Sequence, residues 1–133
     1  MVVREEKTER GVRILVTDDD RQWREGLREA FEPQGYETLE AESGEEAIEM
    51  VHDARPSLVI LDIQLPHLNG IETLRIIRKE MGEGLPAIVV SSEVTDRALA
   101  EALALHAYTV MSKMVSLHQI LYTVAKALQK SQR

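Results

Sequence analysis

The chain contains no cysteine, which excludes disulfides, zinc thiolate sites and a cysteine nucleophile. It has no apolar run long enough to span a bilayer, and its opening MVVREEKTER is charged where a signal peptide would be apolar. These absences predict a soluble, cytoplasmic protein. Positive charge is also scarce: 16 Lys and Arg against 23 Asp and Glu give a net charge of −7, with a pI near 5.1. Direct nucleic-acid binding needs a basic face, so that class is set aside. No repeat or internal linker interrupts the chain, and 133 residues with 44% hydrophobic content suit one domain around one core.

Short apolar runs alternate with longer amphipathic stretches, the βαβα pattern of a parallel sheet covered on both faces. ILV (14–16), LVIL (58–61) and AIVV (87–90) are short, unbroken and β-branched, as strands buried on both faces should be. Weaker strands fit at 36–41 and 108–111. Five helices fall between and after them. Trp23, Leu27, Ala30 and Phe31 share one face, with Gly35 as a stop signal. Ser43 and Glu46 predict a capping box for a helix to about Ala54, closed off by Pro56. Ile71, Leu74, Ile77 and Met81 mark the third helix, and Thr95 caps an Ala/Leu-rich fourth. Ser116 and Gln119 predict a second capping box, before a stripe of Leu117, Ile120, Leu121, Val124 and Leu128. Residues 1–12 are assigned to a flexible N-terminal tail, 13–130 to the domain and 131–133 to a C-terminal tail.

The polar residues then fall in a pattern. Asp18, Asp19 and Asp20 leave the first strand, Asp62 ends the third, Ser91 and Ser92 end the fourth, and Lys113 follows the fifth. In an open parallel sheet, ligands bind outside the carboxyl ends of the strands. Carboxylates ~4 Å apart repel by roughly 4 kcal/mol per pair at an effective dielectric of 20. A divalent cation relieves this, and an all-oxygen donor set favours Mg²⁺ (or Mn²⁺) over zinc. A lysine and a hydroxyl beside such a cation suit phosphoryl oxygens, and a carboxylate can attack phosphorus. Taken singly, the three aspartates also read as a turn with a helix cap, and Asp62 as a loop-entry residue.

The segments ILVTDDD, LVILDIQLPHLNG, AIVVSS and VMSKM, in this order and spacing, resemble the receiver domain of bacterial two-component response regulators, chemotaxis regulators among them. The resemblance covers about residues 12–130, and D-x-x-L-P-x-x-N-G around Asp62 is its most specific part. It implies a flavodoxin-like (βα)5 fold, a five-stranded parallel doubly wound sheet of strand order 2-1-3-4-5. It implies Asp62 as phosphoacceptor from the phosphohistidine of a sensor histidine kinase or phosphotransfer protein. Asp18, Asp19, Asp62 and the backbone carbonyl of Gln64 would hold Mg²⁺, leaving the Gln64 side chain free to vary. Ser91 and Lys113 would contact the phosphoryl group, and Gln64 and Glu93 would tune its lifetime. Pro66 and Gly70 would shape the loop after Asp62. Asp20 stands at a variable position and is assigned to helix capping.

Three positions depart from the family pattern. Met114 replaces the usual proline after Lys113, so that bond is expected trans. Val110 takes the place of the aromatic switch residue, with Tyr108 the nearest aromatic, on the same strand face. His106-Ala107 stands for the usual Gly-Ala. His52, His67, His106 and His118 lack ligand spacing and read as surface residues, and Trp23 as packing close enough to the acids to report on them. The fourth helix is apolar all round, which fits either tight packing or a surface for a partner or second copy. In the family the fourth helix, fifth strand and fifth helix form the signalling face, which Tyr122 and His118 would join.

The leading reading is a signalling switch acting on an output protein or fused effector domain, as a stand-alone receiver or as the excised part of a longer protein. It would charge itself from phosphodonors and discharge itself, without being an enzyme in the ordinary sense. The alternative is a receiver-like binding scaffold that works without phosphorylation, favoured by the lost proline and aromatic. An aspartate-nucleophile phosphatase is the third, but DDDRQ lacks the Thr or Val that should follow its second acid, and a cap domain has no room.

Overall fold

A computed structural model of the chain describes residues 11–131; the tail assigned to 1–12 falls largely outside them, as do the last two residues. Five parallel strands, β1 (Arg13–Thr17), β2 (Glu37–Ala41), β3 (Leu58–Asp62), β4 (Ala87–Ser91) and β5 (Thr109–Ser112), form one sheet in the order β2-β1-β3-β4-β5. Around it lie α1 (Arg21–Phe31), α2 (Gly44–Ala54), α3 (Gly70–Met81), α4 (Asp96–Ala104) and α5 (Leu117–Ser131). The expected α/β architecture and strand order are therefore observed. β2 and β5 each begin one residue later than the apolar pattern predicts, and α5 runs one residue into the stretch assigned to a tail.

The continuous apolar strands are buried because both sheet faces are covered. Leu15, Val59, Leu61, Val89 and Val110 pack beneath α2, α3 and α4, while Ile14, Val16, Ile60, Ile88 and Val90 pack beneath α1 and α5. Alternate side chains enter opposite layers, as a two-residue period requires. No peptide bond in the described residues is cis, Lys113–Met114 included.

Helix starts explain where the site residues point. Asp20 caps α1, its carboxylate accepting from the N–H groups of Gln22 at 3.0 Å and Trp23 at 3.4 Å, as its assignment to capping requires. Thr95 caps α4 as expected. The two predicted boxes are only half made. Ser43 accepts from Glu46 N–H, but the Glu46 carboxylate returns to Glu42 N–H at 2.7 Å. Ser116 accepts from Gln119 N–H, without a return bond among the described residues. The complete box is at Asn69 and Glu72, each side chain bonding the other's N–H.

Two stripes also differ from the pattern. Arg24 is buried inside the apolar face of α1, while Trp23 is only half-buried. On α5 the buried stripe is Ile120, Val124, Ala127 and Leu128; Leu117 faces solvent and Leu121 is half-buried. Arg78 of α3 binds the carbonyls of Leu85 at 2.7 Å, Leu105 at 2.8 Å, His106 at 3.1 Å and Gly82 at 3.4 Å. One guanidinium thus ties the end of α3 to the turn between α4 and β5. That turn holds His106 at φ 61°, a left-handed conformation in which glycine is unstrained.

Candidate functional site

The site stands on the carboxyl ends of β1, β3, β4 and β5. Asp18 follows β1 and has no exposed surface, Asp62 ends β3 with 2% exposed, and Asp19 faces solvent. One carboxylate oxygen from each lies within 4.8 Å of the other two. Asp18 is tightly held: Oδ1 accepts from Asp20 N–H at 2.8 Å and Oδ2 from Lys113 Nζ at 2.6 Å. The carbonyl of Asp18 accepts from buried Arg24 at 2.6 Å, and Arg24 is itself held by Glu40 at 2.8 Å. Asp62 Oδ1 accepts from Gln64 N–H at 3.1 Å, and its Oδ2 lies 3.6 Å from Lys113 Nζ.

Burial, then the negative charge of Asp18, raises the Asp62 carboxyl from 3.8 to about 6; Asp19 adds less, while Gln64 N–H and Lys113 pull the other way. For Lys113, burial works against the charge, but the bond and charge of Asp18, with Asp62 and Asp20, outweigh it and hold its pKa above the ordinary lysine value. Three carboxylates against one ammonium leave the cluster short of positive charge. An all-oxygen, acid-rich donor set of this kind fits Mg²⁺. Gly70 keeps the loop close: a Cβ there would overlap the Asp62 carbonyl and meet Ile63 Cα at 3.0 Å.

Ser91 is fully buried and its hydroxyl is occupied. It donates to the Glu93 carbonyl at 2.7 Å and accepts from Gln64 Nε2 at 2.9 Å and Glu93 N–H at 3.2 Å. Gln64 Oε1 in turn accepts from Ser92 N–H at 3.2 Å. The Gln64 side chain is thus not free to vary without consequence: its amide clasps the end of β4. Nothing in the residue spacing announces this bond, which joins the loop after β3 to the end of β4, 27 residues on. The Lys113 ammonium also lies 4.8 Å from the Trp23 ring centroid.

The structure separates the two residues expected on one face of β5. Val110 is buried in the layer under α4, whereas Tyr108 precedes the strand and lies 5.8 Å from Lys130 Nζ of α5. The irregular turn at His106 breaks the alternation before β5 begins. The histidines have no shared cluster among the described residues; His52 pairs with Glu80 at 2.7 Å and His106 with Glu83 at 3.1 Å, both at the surface.

An open, doubly wound parallel sheet with buried acids and a lysine on its carboxyl rim defines a flavodoxin-like α/β protein with a cation-suited, phosphoryl-suited site. Comparison with known proteins agrees. The family model for the response regulator receiver domain matches residues 14–125, and the chain belongs to that family, a signalling switch of two-component systems. It is 33% identical over 120 residues to the response regulator MprA of Mycolicibacterium vanbaalenii, covering 90% of this chain and 52% of that protein. MprA of Mycobacterium ulcerans is 34% identical over 120 residues, with 90% and 51% covered. The chain therefore spans about half the length of these relatives. A CheY-like response regulator receiver domain protein from Methanospirillum hungatei superposes with a TM-score of 0.86 at 25% identity, covering 91% of this chain and 96% of that one. A LuxR-family two-component response regulator from Aurantimonas sp. gives 0.83 at 26% identity, with 89% and 85% covered.

Proposed function

We propose that this receiver accepts a phosphoryl group on Asp62 from the phosphohistidine of a sensor kinase or phosphotransfer protein, with Mg²⁺ held by Asp18, Asp19, Asp62 and the Gln64 carbonyl. The observation that carries the reading is the buried Asp62 carboxylate, grouped with Asp18 and Asp19 and facing Lys113. Bound there, Mg²⁺ would offset the negative charge of the phosphoryl oxygens. A carboxylate oxygen of Asp62 attacks phosphorus as the bond from phosphorus to the imidazole nitrogen breaks; the imidazole leaves with the electron pair and takes a proton from water. The ammonium of Lys113 leaves Asp18 for a phosphoryl oxygen, and Ser91 breaks its bond to Glu93 to do the same. The same chemistry lets small phosphodonors charge Asp62 and lets water discharge it, with Gln64 and Glu93 at the mouth of the site setting the lifetime.

The output surface we assign to α4, β5 and α5. Among the described residues, the exposed large apolar side chains, Val94, Leu103, Tyr108, Met114, Leu117 and Tyr122, all lie on or beside these elements. It fits an output protein, a fused effector domain or a second copy of the chain. A cytoplasmic setting, where a kinase's phosphohistidine is met, goes with this reading; no helix among the described residues is long and apolar enough to cross a membrane. The occupied Ser91 hydroxyl favours one alternative, a receiver scaffold that binds partners without phosphorylation.

Intact mass after incubation with Mg²⁺ and acetyl phosphate separates the two. A gain of one phosphoryl group in the wild type and none in Asp62→Ala is expected. No gain with several phosphodonors, or an equal gain in Asp62→Ala, would overturn the assignment and leave the scaffold reading.

A further inference from the structure

We infer that Trp23 is a positioning residue for Lys113: its indole face holds the lysine ammonium over Asp18 and Asp62, in place for a phosphoryl group arriving at Asp62. This rests on the phosphoryl-transfer reading above. Among the described residues the ammonium stands near Asp18 Oδ2 at 2.6 Å, Asp62 Oδ2 at 3.6 Å and the Trp23 ring centroid at 4.8 Å, the last well within the ~6 Å range of a cation–π contact. Two of these contacts would change as the site works. Asp18 would help to hold the metal and Asp62 would become the phosphorylated group, whereas the indole takes no part in that chemistry.

Trp23 is suited to be the fixed partner. It lies in the first turn of α1, its N–H is bonded to the Asp20 cap, and its ring packs on the core layer beneath α1 and α5. Lys113 is anchored through its backbone, its N–H donating to the Ser91 carbonyl at 2.9 Å, so the freedom that remains lies in its long side chain. The residue after it, Met114, is 87% exposed and donates its N–H to the Ser112 hydroxyl at 3.0 Å, so it does not wall in the lysine side chain. Lysine is among the side chains with the most rotamer freedom to lose. A wall that removes part of that freedom beforehand raises the fraction of encounters with the charge correctly placed.

The test has two arms. In metal-free protein, ring current from the indole should shift the Lys113 ε-methylene protons upfield, and Trp23→Leu should return them to ordinary lysine positions. In the second arm, phosphoryl uptake from acetyl phosphate with Mg²⁺ is timed in wild type, Trp23→Leu, Lys113→Met and the double variant. Trp23→Leu should slow uptake about fivefold, the size expected of one such contact, and Trp23→Phe should recover most of it. In the Lys113→Met background the same change should have no further effect, whereas a merely structural role would slow both backgrounds alike. Equal losses in the two backgrounds, or Lys113 resonances that ignore Trp23→Leu, would overturn the inference. If the wild type took up no phosphoryl group, the phosphoryl-transfer reading would fall, and the resonances would still decide whether Trp23 holds the ammonium.

Discussion

Replacing Asp62 with asparagine should make the metal-free protein more stable. In the folded state burial and Asp18 raise the Asp62 pKa from 3.8 to about 6. The ionised form is therefore held at a cost, about 1.4 kcal/mol for each pH unit of displacement. Over two units this approaches ~3 kcal/mol at neutral pH, an order-of-magnitude figure. Asparagine keeps the shape and an oxygen for Gln64 N–H, but gives up the attraction to Lys113, so a net gain of about 1–3 kcal/mol is expected at pH 8. The sign with pH follows from linkage. For an acid whose folded pKa lies above its unfolded value, the cost is fully present above the folded value, and it disappears as pH falls through 6 toward 3.8. The advantage of Asp62→Asn should shrink to roughly half a kcal/mol by pH 4. Urea unfolding in EDTA at pH 8, 6 and 4, with both proteins compared at each pH, reads this directly. A variant no more stable than wild type at pH 8, or a gain that does not shrink toward pH 4, would refute the electrostatic account of the site.

Three further outcomes follow from named contacts. His106→Gly removes a left-handed non-glycine residue at the loss of an exposed pair with Glu83, and should raise stability by ~0.5–1 kcal/mol, or a few degrees in Tm, whereas His106→Ala, which keeps the strain, should not. Arg78→Met strands the four carbonyls it binds and should cost about 2–4 kcal/mol in urea unfolding. Gly70→Ala drives a methyl group into the Asp62 carbonyl and should cost ~1–3 kcal/mol or more; where the protein still folds, Asp62 should label more slowly in the acetyl phosphate assay.

The parts of this molecule that could be read from its sequence are those governed by short-range repetition. Unbroken β-branched runs marked β1, β3 and β4, and the acids, serine and lysine that follow strands had to converge because parallel strands end on one rim. Asp20 was legible as a cap because capping is a local bond. What stayed hidden depends on partners distant in the chain or on backbone geometry. Arg24 sits in an apolar stripe and is tolerated there only because Glu40 and the Asp18 carbonyl meet it. The Gln64 clasp on Ser91 arises from how the loop after β3 lies against the end of β4, and the split of Tyr108 from Val110 from the left-handed turn at His106. The Asn69–Glu72 box was the exception, since its N-x-x-E spacing was open to inspection.

The seating of α4 has a consequence for how the domain yields. Nine residues long, it buries one side chain completely, Ala102. A helix that short has little stability of its own, and packing must supply nearly all of it. By contrast, α3 buries five residues and is fastened at its start by the Asn69–Glu72 box and toward its end by Arg78. The protein is therefore lopsided in its resistance to opening, stiff along the central strands and α3 and soft along one flank. Amide protons of α4 should exchange with solvent through local opening long before those of β3, and a binding partner would meet there a segment that can be remoulded at little expense to the rest of the fold.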